Sequence, residues 1–387
     1  MKVCYVCCEY PPAMHGGIGA VIQSTSRALV KSGHQVRVIG LYPPTLDAPE
    51  HEDDQGVQVW RLRSSNRPLS WIPERYRLFK LVREWAKNGD IDVVEVPDWE
   101  GHAMGWPRLG VPIVVRLHGS ITYFGSEMKI PVGRQAQWME SRSFHRADFA
   151  SSCSSYTAKR TNQLFGKHAR ETAVLYNSVQ LSQAAPVVAA RESNMVVYAG
   201  TLTRKKGIIQ LIKAWPEVLA ANSDARLHVF GKDAGTDDGY PMEAYLRSVL
   251  AGRGDGSVFF HGHVAMAELR AIYQKCGMAI FPSYAEAFAM APLEAMAEAC
   301  PVICSTRSSG PEMVRHGSDG LLVDPDNESE IAASIVQLLD NESLAQRLGK
   351  AAQETVRERF WSERTVTQMV EFYSKCISKF RGNGSHN

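Results

Sequence analysis

Short β-rich runs alternate with amphipathic stretches along almost the whole chain, and this alternation restricts the fold more than any other feature. Residues 3–8, 35–39, 57–62, 92–96, 113–117, 149–152 and 173–176 read as strands. Residues 18–32, 73–87, 131–145 and 155–165 between them carry helical spacing. Apolar runs without a polar alternate face are what a parallel sheet buried on both sides requires, and intervening helices supply its crossovers. A weakly patterned segment then interrupts, and the alternation resumes. Strands are expected at 195–199, 226–230, 258–261, 278–281 and 302–305, a helix at 207–219, and a nearly all-helical stretch at 328–379. A chain of 387 residues exceeds what one core usually organises. The expected fold class is therefore α/β, with two Rossmann-like, doubly wound domains. Their boundaries are placed at 1–181 and 195–360, with a linker at 182–194, a C-terminal helix at 361–380 crossing back to the N-terminal domain, and a tail at 381–387.

In such sheets ligands bind beyond the carboxyl ends of the strands, so segments that follow strands carry the chemical information. Three do so here. Gly16-Gly17-Ile18-Gly19 lies between the first strand and first helix, where glycine lets a backbone approach a phosphate or sugar. It lacks dinucleotide-fingerprint spacing, and no acid ends the second strand; a plain tight turn is an equal reading. Gly200-Thr201-Leu202-Thr203-Arg204-Lys205-Lys206-Gly207 sets three successive cations before a helix start, where they oppose the helix dipole. A bound diphosphate would neutralise them; a solvated basic turn is the alternative. The third is PSYAEAFAMAPLEAM, residues 282–296, with Glu286 in the loop and Glu294 expected in the first helical turn behind Pro292. Paired carboxylates hold sugar hydroxyls, although a loop acid and a helix-start acid also occur for purely structural reasons.

Within this context Glu286-x7-Glu294 resembles the signature of the retaining GT-B glycosyltransferases of family 4. Residues 200–207 look like that family's phosphate-binding segment. Leu117-His118-Gly119, Leu175-Tyr176-Asn177-Ser178-Val179, Gly310-Pro311-Glu312-Met313-Val314 and Gly320-Leu321-Leu322-Val323 continue the likeness, which covers most of the chain. The resemblance implies a GT-B fold whose two domains face a central cleft. It implies catalytic roles for Lys206 at the diphosphate, Glu286 at the donor-sugar hydroxyls and His118 lining the sugar site. Donor binding would fall to Gly17 in the first loop, Arg204 or Lys205 beside the diphosphate, and the backbone near His263-Val264 at the base. It would also fall to the amides of Phe288 and Ala289, and to Glu294 at the ribose. Thr201 stands where the family often has arginine, so a second cation must come from Arg204 or Lys205. Ala287 and Ala289 replace frequent glycines. The implied reaction is hexose transfer from a nucleoside-diphosphate sugar, with UDP-hexose favoured and UDP-glucose slightly ahead. The acceptor would be a glycan or lipid-linked saccharide. No cofactor and no metal are expected. The alternatives on the same fold are a non-catalytic nucleotide-sugar-binding protein and a nucleotide-sugar epimerase.

Other features point to ordinary structure. Cys4 and Cys7 form a C-x-x-C, but they sit within an apolar strand and lack a second cysteine pair, so buried reduced thiols are expected. His261-Gly262-His263 at a strand end lacks further ligands nearby in sequence. Asp90-Ile91-Asp92 and Asp324-Pro325-Asp326 have the spacing of a metal-diphosphate motif. The first leads into a strand, the second has turn composition, and neither is expected beside the basic segment. The 73–87 helix combines five cations with a large apolar face, suiting either sheet packing or a membrane surface. Net charge is only +2, with the positive excess in the first half, unlike a nucleic-acid-binding chain. No signal-peptide pattern or membrane-spanning run is apparent. The expected location is the cytoplasm, compatible with peripheral association at the inner face of a membrane.

Overall fold

The computed structural model describes residues 1–13, 17–65, 69–166, 171–181 and 191–384. The chain divides into two compact units, Met1–Ser178 with Ser362–Asn387, and Val179–Trp361.

The first unit runs β1 (Lys2–Val6), α1 (Ile18–Lys31), β2 (Gln35–Tyr42), β3 (His51–Asp54), β4 (Val57–Arg63), α2 (Trp71–Lys87), β5 (Val93–Pro97), β6 (Ile113–Leu117), α3 (Ile121–Met128), α4 (Arg134–Arg146), β7 (Phe149–Ser152), α5 (Ser155–Phe165) and β8 (Thr172–Val174). Its strands lie in the order β3-β4-β2-β1-β5-β6-β7-β8. The pairs are parallel except β3 with β4. Polar His51–Asp54 has no apolar alternation, so sequence patterning passes over it. It forms because Gln55 (φ 55°) and Gly56 (φ 88°) supply the two left-handed residues of a tight hairpin turn. Its charged side chains guard an exposed sheet edge. The α2 helix buries Leu78, Phe79, Val82 and Trp85, which supports the sheet-packing reading of its apolar face.

The second unit runs β9 (Glu192–Ala199), α6 (Ile208–Ala221), β10 (Arg226–Phe230), α7 (Met242–Leu250), β11 (Val258–Gly262), α8 (Met266–Lys275), β12 (Cys276–Phe281), α9 (Met290–Ala297), β13 (Val302–Ser305), α10 (Gly310–Met313), β14 (Leu321–Val323), α11 (Glu328–Leu339) and α12 (Glu342–Thr355). Its parallel sheet has the order β11-β10-β9-β12-β13-β14. Trp215 of α6 is fully buried, and its indole N–H donates to Ser257 Oγ at 2.9 Å. Truncating such a side chain to alanine costs about 3–5 kcal/mol.

Three boundaries differ from the sequence reading. β9 begins at Glu192, inside the expected linker; residues 182–190 lie outside the described residues. The long helical stretch is divided, because Asn327 and Asn341 each cap a new helix by accepting an N–H three residues on. A π-helical turn at Val356–Phe360 follows. The last helix, α13 (Ser362–Gly384), continues past Arg381, where a tail was expected. It joins the first sheet through a buried polar network: Tyr373 Oη donates to Glu95 Oε2 at 2.7 Å and lies 3.2 Å from Tyr5 Oη.

Candidate active site

In the second unit, the segment after β9 and the loop after β12 are held against each other. Tyr284 N–H donates to Lys205 O at 2.8 Å, and Leu202 N–H ties the same segment to Lys232 O after β10 at 2.9 Å. Arg204–Lys206 forms a single 3₁₀ turn rather than the first turn of α6. Gly207 then turns the chain at φ 72°. A Cβ there would stand 1.8 Å from Pro282 O, so only glycine permits this contact. The approach brings Lys206 Nζ onto Glu286 Oε1 in an ion pair, with both side chains mostly covered. The three cations were expected to oppose a helix dipole, neutralised by a bound diphosphate or left solvated; for Lys206 the structure supplies Glu286 as the opposite charge instead. Lys205 is partly buried, and burial lowers its pKa against the attraction of Glu286.

Glu294 also departs from expectation. The α9 helix begins at Met290, so Pro292 is its third residue and Glu294 its fifth, in the second turn. Simple complementation of the helix start therefore does not explain this acid. Burial raises its carboxyl to about 7, opposed by the Arg270 guanidinium on α8. Arg270, which sequence reasoning missed, also donates to Gln180 O at 3.0 Å. Nothing in a helix surface residue's spacing announces such a role. Phe288 is buried beside Phe360, with ring centroids 5.6 Å apart, and Ala289 is the residue before α9. Val264 is half-buried in the turn between β11 and α8.

His118 follows β6 in the first unit and is buried. Desolvation, then the nearby Arg116 cation, hold its pKa well below the ordinary histidine value, leaving a neutral imidazole. Its backbone N–H donates to Asp98 Oδ1 at 3.0 Å, and that of Gly119 to Oδ2 at 3.2 Å. Asp98, just past β5, was missed; an acid directly after an apolar strand was its sequence signal. Its carboxyl is raised to about 7, mainly by burial, against the His118 N–H bond that favours the charged form. Gly17 lies exposed at the start of α1. Gly16 lies outside the described residues. The structure places Lys206, Glu286, Glu294, Arg204, Lys205, Phe288, Ala289 and Val264 in the second unit, and Gly17 and His118 in the first.

Cys4 and Cys7 are buried free thiols, Cys4 pushed up to about 12 by burial. His261 stacks on His228, with nitrogens 3.0 Å apart, and does not partner His263. Asp90 pairs with Arg37, and Asp92 accepts from Lys2 N–H. Asp326 accepts from Tyr284 Oη at 2.7 Å, so this second acidic pair sits closer to the Lys205 segment than expected. Both Asp324 and Asp326 are paired with Arg307. A cavity of about 310 Å³, lined by Arg191, Arg226 and His228 among others, opens at the amino ends of β9 and β10, opposite the end that carries this chemistry.

Comparison with known proteins adds an independent line. The pattern of the family "Glycosyltransferase Family 4" matches residues 15–183, and that of "Glycosyl transferases group 1" matches residues 182–355. Glycogen synthase of Mycobacterium tuberculosis is 26% identical over 96% of this chain and 94% of its own. The structure of sucrose-phosphate synthase from Thermosynechococcus elongatus superposes with a TM-score of 0.79 at 20% identity, covering 98% of this chain and 99% of the other. That of Anabaena HepE in complex with UDP-glucose has a TM-score of 0.72 at 19% identity, covering 97% and 100%.

Proposed function

The chain belongs to the family 4 glycosyltransferases of GT-B type, and from that premise we propose that it moves a hexose from a UDP-sugar to a glycan or lipid-linked saccharide. We assign it a retaining, metal-independent reaction with glucose as the favoured hexose. The observation that carries this reading is the Lys206–Glu286 ion pair beyond the carboxyl ends of β9 and β12, with Glu294 nearby in sequence on α9. The UDP-glucose bound by HepE supports the choice of donor.

In this reading Glu286 accepts hydroxyls of the donor sugar, and Lys206 holds it in place by charge. Lys206 also faces the diphosphate, helped by Arg204 or Lys205, and stabilises the charge that grows as the glycosidic bond breaks. Glu294 accepts the ribose hydroxyls, the amides of Phe288 and Ala289 support the sugar, and the backbone at Val264 meets the base. His118, kept neutral by burial, serves the same reaction from the first unit, as does Gly17 in its first loop. The acceptor attacks from the face the leaving group departs, and a leaving phosphate oxygen takes its proton.

A thermal-shift screen of nucleotide sugars, followed by identification of the product, tests the proposal. Free UDP formed only when an acceptor is present supports transfer. A changed sugar without acceptor would mean epimerisation. Donor binding without turnover across a broad acceptor panel would mean a binding protein.

A further inference from the structure

The first sheet reverses its strand order between β1 and β5, which lie side by side. Cys8 follows β1; Glu100 and His102 follow β5. Side chains from these two loops converge. Cys8 Sγ is 3.7 Å from His102 Nε2, which is 3.5 Å from Glu100 Oε2. The three atoms all lie within 4.8 Å of one another. We propose that this triad binds zinc or a similar borderline divalent cation, with a fourth position open to water or another oxygen ligand.

The spacing fits such an ion. Tetrahedral zinc, at about 2.3 Å from sulfur and about 2.0–2.2 Å from nitrogen or oxygen, holds sulfur and nitrogen about 3.6 Å apart and nitrogen and oxygen about 3.4 Å apart. The two measured edges agree with these values. The nitrogen–oxygen edge is long for a hydrogen bond, whose N–H···O distances centre at ~2.9 Å, whereas the sulfur–nitrogen edge suits a hydrogen bond as well as an ion. His102 is 2% exposed, and its Nδ1 has no hydrogen-bond partner among the described residues. Burial of an imidazole on such terms is costly. An ion at Nε2 would join the ring to the Cys8 and Glu100 side chains that this nitrogen already faces, while leaving Nδ1 as it is.

The surroundings also hold the ligands ready. Leu41 N–H points to Cys8 Sγ at 3.4 Å, an outer contact that orients the sulfur. Arg75 donates to the carbonyls of Glu100 and Gly101, fixing the loop through its backbone. Glu100 (φ 59°) and Gly101 (φ 66°) are consecutive left-handed residues. A Cβ on Gly101 would lie 2.4 Å from Met139 O, so the turn demands glycine. Cys8 is half-buried and Glu100 is exposed, which leaves an entry path from solvent. Binding takes the thiol proton from Cys8 and releases it to solvent. This inference is independent of the donor reading, whose carboxylates belong to the second unit.

The test uses untagged, full-length protein stripped with a chelator, then titrated with zinc by calorimetry and with cobalt by absorption. One zinc per chain is expected, together with a sulfur-to-cobalt charge-transfer band. Cys8→Ser should abolish the band and weaken zinc by about tenfold or more, and His102→Gln should weaken it similarly. A second measurement needs no variant: zinc should protect Cys8 of the wild-type chain from alkylation, read by mass spectrometry. The other seven cysteines are buried. Absence of stoichiometric zinc uptake, binding unchanged in Cys8→Ser, or alkylation of Cys8 at the same rate with and without zinc would each overturn the site.

Discussion

Burial lifts the Glu294 carboxyl to about 7, so its charge changes within the range in which a transferase is assayed. The folded chain holds this proton more tightly than the unfolded one. The associated stability is full below about pH 4.5 and is lost as pH rises towards about 7. Donor binding should run the other way, because ribose hydroxyls need the ionised acceptor: affinity should fall as pH drops below about 7. Replacing Glu294 with glutamine removes a charged acceptor worth roughly 1.5–3 kcal/mol, so affinity should drop about tenfold or more and lose its pH dependence. Calorimetric titration of UDP-sugar from pH 6 to 8 decides this; wild-type affinity that stays level across the range removes Glu294 from the ribose. Lys206→Ala should lower turnover strongly. It should also destabilise, by about 1–3 kcal/mol, because the mostly covered Glu286 carboxylate loses this partner. Normal turnover in a variant that melts lower would make the pair structural. Both acids and the three cations were legible as residues that follow strands, yet their mutual pairing was not. Contact between 206 and 286 depends on Gly207 meeting Pro282 O, a backbone approach with no local sequence code.

Elements were legible where burial leaves an unbroken apolar run. β12 is such a run, and β1, β5, β6 and β13 are apolar but for Lys2, Glu95, Arg116 and Ser305; all appear close to where the sequence places them. β3 was hidden because its polar residues pair only with β4 at the sheet edge, and the hairpin turn is Gln-Gly rather than a strong turn dipeptide. The start of α9 was misplaced because proline suits several positions in a first turn, and Pro292 occupies the third. The loop after β6 owes its form to Asp98 at the end of β5, which accepts from the N–H groups of both His118 and Gly119. Asp98→Ala should strand two buried donors at about 1–3 kcal/mol each. We expect a lower unfolding midpoint together with lost transfer. Differential scanning calorimetry paired with a turnover assay checks it, and a variant that melts and turns over like wild type would show that the loop holds itself.

At the scale of the whole molecule, two parallel sheets were readable from the alternation, but strand order was not, because crossovers set it. The return of α13 to the first unit, expected from the sequence, rests on Val366, Met369 and Cys376 in that unit's apolar core, and buried Tyr373, Glu95 and Tyr5 add polar contacts that a hydrophobic pattern does not register. Selectivity among donors belongs to this scale as well: a UDP-hexose should raise the unfolding midpoint more than a guanosine-diphosphate sugar, and the reverse order would overturn the choice of base. Transfer should also proceed without a divalent metal. A metal-dependent transferase needs acids aimed at the diphosphate. Here Asp90 and Asp92 precede β5 and are engaged by Arg37 and Lys2. Asp324 and Asp326 come nearer to the basic segment, through Tyr284, but Arg307 binds both. An acid pair already neutralised by a guanidinium must give it up to take a metal. Lys206 with Arg204 or Lys205 can meanwhile supply positive charge at the diphosphate directly. Activity in excess EDTA should therefore match the untreated rate, and NMR of the product should show the donor's anomeric configuration kept. Loss of activity restored by manganese or magnesium would place a metal on the diphosphate and overturn the assignment. Restoration by zinc alone would point instead to Cys8, Glu100 and His102 in the first unit, leaving the phosphate chemistry as assigned.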